Sequence, residues 1–342
     1  LGRRMHRNTR GTLRHYYQLG LLDSPPPKRR VFDEVFEYAD IHERQVYNEV
    51  KAYINERYAQ LEEEKTGKGF VMTIYHRRAS SSPLALRRSL NRRKDKLERI
   101  IKRQSYDPLL ALEEEQVDLR DLIDADLEEK VDPGLPTSPQ AAEIEKRSID
   151  KLLSMLDQLG ATDSKLEKFF SVLDRATKDG RPALVFTEYT DTMEYLREQL
   201  KPTYGATLGC YSGRGGEIPL GHQWIEVPKS EITDRLSDGA LKVLICTDAA
   251  SEGLNLQAAG ALINYDLPWN PSKVEQRIGR IDRIGQKQSI IPVFNLFLDD
   301  SVDMLVYEVL QERCGLFEQF VGKMQPVLAL ARSGLKKILS PQ

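Results

Sequence analysis

Gln276, Arg280 and Arg283 follow one another at spacings of four and three in the stretch SKVEQRIGRIDR, residues 272–283. That spacing predicts one shared helix face, carrying two guanidiniums and an amide, with Val274, Ile278 and Ile281 on the opposite, core-packing face. Ser272 and Glu275 form a capping box, which starts the helix there. Two arginines held rigidly together suit an anion, above all a polyphosphate whose charge grows in a transition state. Taken alone, the spacing favours a plain solvated basic face. Gly279, inside the helix, costs about 1 kcal/mol relative to Ala, so something is expected to approach the backbone closely there.

A second stretch changes the odds. TDAASEGLNL, residues 247–256, follows directly on the apolar run Val243–Cys246. In open α/β sheets, ligands bind outside the carboxyl ends of strands. Small residues with Gly253 and Asn255 can admit a ribose or a phosphate, which an ordinary strand-to-helix connection would not require.

The elements that must position these residues are short apolar runs: Ala183–Phe186, Val243–Cys246, Ala261–Tyr265 and Ile290–Phe297. They alternate with helical or loop stretches, the pattern of βαβ units around a buried parallel sheet. Ser164 and Glu167 read as a capping box for a helix through Phe169, Phe170 and Leu173, and Asp191 with Glu194 caps a second carrying Met193, Leu196 and Leu200. Upstream, Pro25-Pro26-Pro27-Lys28 reads as a stiff connector. Apolar spacing predicts a helix over 43–59 and another over 141–159. Residues 61–130 are charge-dense and read as long, mostly exposed helices.

The net charge of −2 over 342 residues hides an asymmetry. Residues 65–103 hold thirteen Lys/Arg against Asp95 and Glu98, whereas residues 107–132 hold eleven acids against Arg120 and Lys130. Two solvated helices that attract each other explain this as well as a basic arm approaching a phosphate backbone does. No apolar run is long enough to span a bilayer. Cys210, Cys246 and Cys314 are scattered and odd in number, which argues against a disulfide framework and fits a reducing cytoplasm. The five histidines show no ligand spacing, so no metal site is expected in the chain.

The stretch 243–256, then NYDLPWNP (264–271) and QRIGRIDRIGQ (276–286), closely resemble the C-terminal motifs of the SWI/SNF-type ATPases of helicase superfamily 2. LVFTEY (184–189), Ser164-Lys165-Leu166, Arg7-Asn8-Thr9-Arg10, Pro26-Pro27-Lys28 and Gln45-Val46-Tyr47 resemble other parts of the same family. SSSPLALRRSLNRR (80–93) is similar to the insertion of the bacterial and archaeal HepA/RapA-like branch, and CYSGRGGE (210–217) resembles the SWI/SNF-type component, DrmD, of DISARM phage-defence systems. The resemblance implies a RecA-like parallel sheet with flanking helices plus a charged helical insertion. It divides the chain into 1–60, exit from a first lobe and connector; 61–160, charged helical insertion and linker; 161–325, C-terminal lobe; and 326–342, tail helix.

By this resemblance Arg280 and Arg283 would be arginine fingers reaching ATP, with Gln276 ordering the site and Gly253 and Asn255 near the nucleotide's sugar. Thr187, Gly213, Arg214 and Thr247 would face a DNA backbone, where hydroxyls and amides position without reading sequence. The implied protein is a prokaryotic, cytoplasmic, DNA-dependent ATPase that moves along double-stranded DNA. It would displace bound protein, with RNA polymerase or other defence-system proteins as partners. Alternatives are a strand-separating DNA or RNA helicase lobe, against which Asn270-Pro271 and Ile284-Gly285-Gln286 weigh, and a non-catalytic binding module. Phosphoryl transfer also needs a Walker A loop and acids for Mg²⁺. No GxxxxGK[ST] occurs in the chain, and Lys65-Thr66-Gly67-Lys68-Gly69 has the letters in the wrong order. ATP with Mg²⁺ would therefore be held mainly by an N-terminal lobe absent from this chain, which reads as a fragment inactive alone.

Overall fold

The computed structural model describes residues 15–23, 25–64, 72–103, 134–160, 163–248, 254, 256–268, 271–283, 285–299, 301 and 304. The expected tail helix over 326–342, the acidic stretch 107–132 and Lys65–Gly69 lie outside the described residues.

An eight-stranded, mostly parallel sheet forms the frame, as the apolar runs predict. Its strands are β1 (Lys28–Phe36), β2 (Ala183–Thr187), β3 (Leu208–Ser212), β4 (Gly215–Leu220), β5 (Gln223–Val227), β6 (Val243–Thr247), β7 (Ala261–Asn264) and β8 (Ile290–Leu298). Across the sheet the order is β1-β8-β7-β2-β6-β3-β4-β5, parallel from β1 to β3 and antiparallel through β4 and β5.

Both faces of the central strands are buried, which explains their continuous apolar sequences. Ala183 and Val185 pack on one side with Phe169, Leu173, Met193, Leu196 and Leu200. Leu184 and Phe186 pack on the other side with Ile232, Leu236, Val274, Ile278 and Ile281. The helices involved are α5 (Ser164–Thr177) and α6 (Thr190–Tyr204) on the first face, and α7 (Lys229–Ser237) and α8 (Pro271–Ile278) on the second.

Four further helices, α1 (Ile41–Glu64), α2 (Thr73–Ser81), α3 (Pro83–Arg103) and α4 (Pro139–Leu156), share a separate core. Val50, Ile54, Leu61, Leu90, Leu97 and Ile149 are fully buried in it. The described part of the charge-dense stretch, α2 and α3, is thus packed into a core with α1 and α4, where charge density predicted mostly exposed helices.

Two caps differ from expectation. Asp163, not Ser164, caps α5 by accepting from the Leu166 amide at 2.8 Å, while the Ser164 hydroxyl donates to Glu43 and accepts from the Ala39 amide. α6 has Tyr189 at its N-cap with no side-chain cap, because Asp191 and Glu194 are engaged by arginines of α2, α3 and the β3–β4 turn. β1 follows directly on the expected connector, whose residues 25–27 have no regular structure. It pairs with β8 along its whole length, from Lys28 opposite Ile290 to Phe36 opposite Leu298, and Phe32 stacks on Phe294 at 4.9 Å.

Candidate functional site

α8 is anchored by the apolar face its spacing predicts: Val274, Ile278 and Ile281 are fully buried. A fourth anchor, Arg277, was not singled out by the sequence reading. Its guanidinium is fully buried, with Nε and Nη2 donating to the Asp248 carboxylate at 2.5 and 2.8 Å. Nη1 donates to Asn264 Oδ1 at 2.9 Å and to the Asp266 carbonyl at 2.6 Å. A buried guanidinium survives only when its charge and donors are met, and here they are met by the ends of β6 and β7. The signal was present in the spacing. Arg277 stands three residues after Val274 and four before Ile281, on the buried stripe.

The regular helix ends at Ile278, earlier than predicted, and residues 279–283 continue as tight turns. Short-range bonds hold them, among them Arg280 N to the Arg277 carbonyl at 3.1 Å and Ile281 N to the Ile278 carbonyl at 3.1 Å. Gln276 is exposed on the helix, Arg280 is half-buried, and Arg283 is exposed in the turn. The carboxylate of Glu275, expected in a capping box, is taken by Arg29 of β1 at 2.8 and 3.0 Å. The close approach expected at Gly279 comes from the chain itself. A Cβ there would lie 3.2 Å from the Glu275 carbonyl, and the Gly279 carbonyl accepts from Arg283 Nε at 2.9 Å. Gln286, at the end of the motif, donates through Nε2 to the carbonyls of Gln257, Ala259 and Ile281, closing the turn onto the chain before β7.

Gly253 and Asn255 lie outside the described residues. Leu254 and Leu256 are buried in the core.

The four residues expected at a DNA backbone fall into two pairs. Gly213 and Arg214 form the exposed turn between β3 and β4, where the Arg214 amide donates to Ser212 Oγ at 3.1 Å and its side chain reaches Glu194 at 2.8 Å. Thr187 and Thr247 are register partners at the carboxyl ends of β2 and β6, but they are 0% and 2% exposed. Thr187 donates its hydroxyl to Asp266 Oδ2, and the same oxygen accepts from Ser81 of α2 at 2.8 Å. α2 therefore covers that strand end.

Asp266 centres a buried polar cluster that sequence reasoning missed. Its Oδ1 accepts from Lys165 Nζ at 2.7 Å, beside its bonds from Ser81, Thr187 and the Glu188 amide. Burial pushes the Asp266 carboxyl up, but the Lys165 ammonium and the hydroxyls of Thr187 and Ser81 outweigh it and hold the carboxyl below its ordinary value. Glu188, paired with Arg77 of α2, shows the reverse. Burial, with Asp248 and Asp266 nearby, drives its carboxyl up to about 7 against the pull of Arg77 and Arg277.

Comparison with known proteins supplies the class of the domain built on this sheet. Residues 164–285 match the family described as the helicase conserved C-terminal domain. Those residues carry that domain. The chain is 31% identical over 249 residues to the uncharacterized ATP-dependent helicase YqhH of Bacillus subtilis, a match covering 73% of this chain and 41% of that protein. Over 116 residues it is 36% identical to the RNA polymerase-associated protein RapA of Vibrio cholerae, covering 31% of this chain and 12% of RapA. The chain thus spans less than half the length of these curated relatives. In fold it resembles the C-terminal part of the Fun30 ATPase domain, with a TM-score of 0.52 at 16% identity over 91% of this chain and 99% of the other. Among the described residues no helix is long and apolar enough to cross a membrane.

Proposed function

We propose that this chain is the second lobe of an ATP-dependent translocase on double-stranded DNA, which displaces or remodels DNA-bound protein. ATP and Mg²⁺ are held mainly by an N-terminal lobe outside this chain. Arg280 and Arg283 act as arginine fingers, Gln276 orders their surroundings, and Gly253 and Asn255 lie near the sugar. The observation that carries this reading is the division of labour on one short segment. Val274, Arg277, Ile278 and Ile281 are sunk in the lobe, while Gln276 and Arg283 face outward with Arg280 half-buried between them.

Such an arrangement fits a polyphosphate approaching from outside. Guanidiniums held by a rigid frame meet the charge that develops on transfer without reorganising, and arginine fingers contribute about 10³–10⁵ in rate. When ATP is bound it supplies the phosphoryl group. This chain's residues neutralise charge and set the geometry of closure. The exposed Gly213–Arg214 turn would follow a phosphate backbone. Thr187 and Thr247 would join it only after α2 withdraws from the end of β2. The RNA polymerase-associated relative supports a DNA-bound protein complex as the object displaced, with phage defence as the other setting read from residues 210–217.

The deciding experiment measures DNA-stimulated ATP turnover in the full-length protein. Arg283→Ala and Arg280→Ala should each abolish turnover and leave duplex binding intact; surviving turnover removes the finger assignment. The isolated chain should show no turnover. A forked duplex should pass through the full-length protein unseparated, and strand separation would favour the helicase alternative.

A further inference from the structure

We propose that Arg29, on β1, is a positioning residue for the Arg280–Arg283 turn, an inference that rests on the reading of that turn given above. Arg29 belongs to the strand by which the chain enters the sheet, and its neighbour across the ladder is Ile291 of β8. Its side chain, 14% exposed, crosses to the arginine-bearing segment and grips it at two points. Nη1 donates to both oxygens of Glu275 at 3.0 and 2.8 Å, and Nε donates to Asp282 Oδ2 at 2.6 Å.

The two points are well chosen for fixing a turn. Glu275 lies on α8 beside Gln276, and Asp282 lies between Arg280 and Arg283, after the helix has given way to short-range turns. Nothing in a regular helix fixes the direction of that turn, so its aim depends on what grips it. The planar guanidinium presents donors in a rigid fork. One fork therefore sets the distance from helix to turn. It also brings the two acids of this basic segment a counter-charge from the sheet.

A second polar route joins the same strand to the same helix. Asp33, four residues along β1 and so on the same side of the strand as Arg29, accepts from Asn295 Nδ2 at 3.0 Å. Asn295 in turn accepts from Asn264 Nδ2 at 2.8 Å, and Asn264 accepts from Arg277 Nη1 at 2.9 Å. Asn264, Asn295 and Arg277 are fully buried. This inner ladder through β1, β8 and β7 locates the root of α8. The outer fork from Arg29 locates the turn that follows. Burial of Val274, Ile278 and Ile281 already holds the helix on the sheet, so the role left to Arg29 is aim.

The test is made in the full-length protein with DNA-stimulated ATP turnover, ATP KM and duplex affinity measured on the same samples. Arg29→Ala should lower kcat by roughly tenfold to a hundredfold, the scale of a misplaced catalytic group, with KM and DNA affinity moving less than about twofold. Arg29→Lys, which keeps the charge but not the fork, should recover part of the loss. In an Asp282→Asn background, Arg29→Ala should cost less than it does alone, because the two act as one unit. An unchanged kcat, a rise in KM at constant kcat, or a loss equal to the unfolded fraction would each overturn the proposal. Arg283→Ala is the control that separates the two levels. Turnover surviving it removes the finger reading and this inference together. Turnover lost with Arg283→Ala but kept with Arg29→Ala removes only the positioning role.

Discussion

Arginines crowd two regions of this molecule, the α2–α3 helices and α8 with the turn after it, and the structure treats them differently. In the first, Arg77 pairs with Glu188, Arg78 with Asp191 and Arg93 with Glu145, every partner nearly or fully buried. Arg88 and Arg92 remain part-exposed, yet both also reach Asp191. Burial alone would raise that carboxyl, but Arg88, Arg92 and Arg78 together hold it below its ordinary value. In the second region Arg277 is consumed in this way, whereas Arg283 stands exposed with a bond to the Gly279 carbonyl. Arginine density is therefore no measure of ligand binding. What decides is whether the facing elements supply carboxylates. For α2 and α3 they do, so much of the basic stretch read as an arm for a phosphate backbone is spent on joining the helical unit to the sheet lobe and to α4.

The comparison breaks most visibly at the fully buried members. Arg93→Ala takes one guanidinium from the buried Glu145, which keeps Arg57 and the Tyr53 hydroxyl, and Arg277→Ala takes the guanidinium from the part-buried Asp248 and the buried Asn264. Removing one partner of a buried pair costs about 3–5 kcal/mol. For a domain of this size that lowers the thermal midpoint by roughly 10 °C. Calorimetry of the isolated chain checks both. A shift of a degree or two for either would mean that these guanidiniums are hydrated and that the division drawn here is wrong.

Glu188→Gln sharpens it through pH. The native carboxyl titrates near 7 against an ordinary value of about 4.5, so between those values the folded protein keeps a proton that the unfolded chain has lost. Wild-type stability should therefore fall with rising pH across that window, by at most about 1.4 kcal/mol per pH unit, and level off above it. Subtracting the profile of the Gln variant isolates this contribution. A flat difference would show that Arg77 keeps Glu188 ionised throughout.

Next in size are Arg88→Ala and Arg92→Ala, each expected to cost under about 1 kcal/mol and less in high salt, as exposed ion pairs do. Urea midpoints at two salt concentrations read this directly. A loss as large as that for Arg93 would place them with the buried class.

These contrasts also explain what the sequence could reveal. β2, β6, β7 and β8 were legible because both faces of each are largely buried, so their residues form mainly apolar runs. β1 was not legible. It is an edge strand, and Lys28, Arg30, Asp33 and Val35 are exposed, so its few buried residues imitate no strand pattern. The β4–β5 hairpin was missed for a related reason, since its alternating exposure, with Gly216 packed under Ile232, leaves little apolar signal. At the site, the buried face of α8 was legible from helical spacing. Arg277 and Asp266 were not, because a charged residue reads as solvent-facing until its partners are known. Those partners come from segments far away in the chain: Lys165, Ser81, Asp248 and Asn264.

The smallest stability change expected is that of Arg283→Ala, and it is the most informative. The side chain is exposed and its Nε bonds a carbonyl one turn back, so its loss should alter stability by no more than about 0.5 kcal/mol, as for surface substitutions away from special features. If its role lies outside this chain, the same change should still remove turnover in the full-length protein. The buried Arg93 should behave in the opposite way, with a large loss of stability and turnover that falls only in step with the folded fraction. Measured side by side, the pair separates two uses of one residue type. Arg283→Ala lowering the melting midpoint as much as Arg93→Ala would place it among the structural arginines, and the segment after α8 would then be one more braced surface.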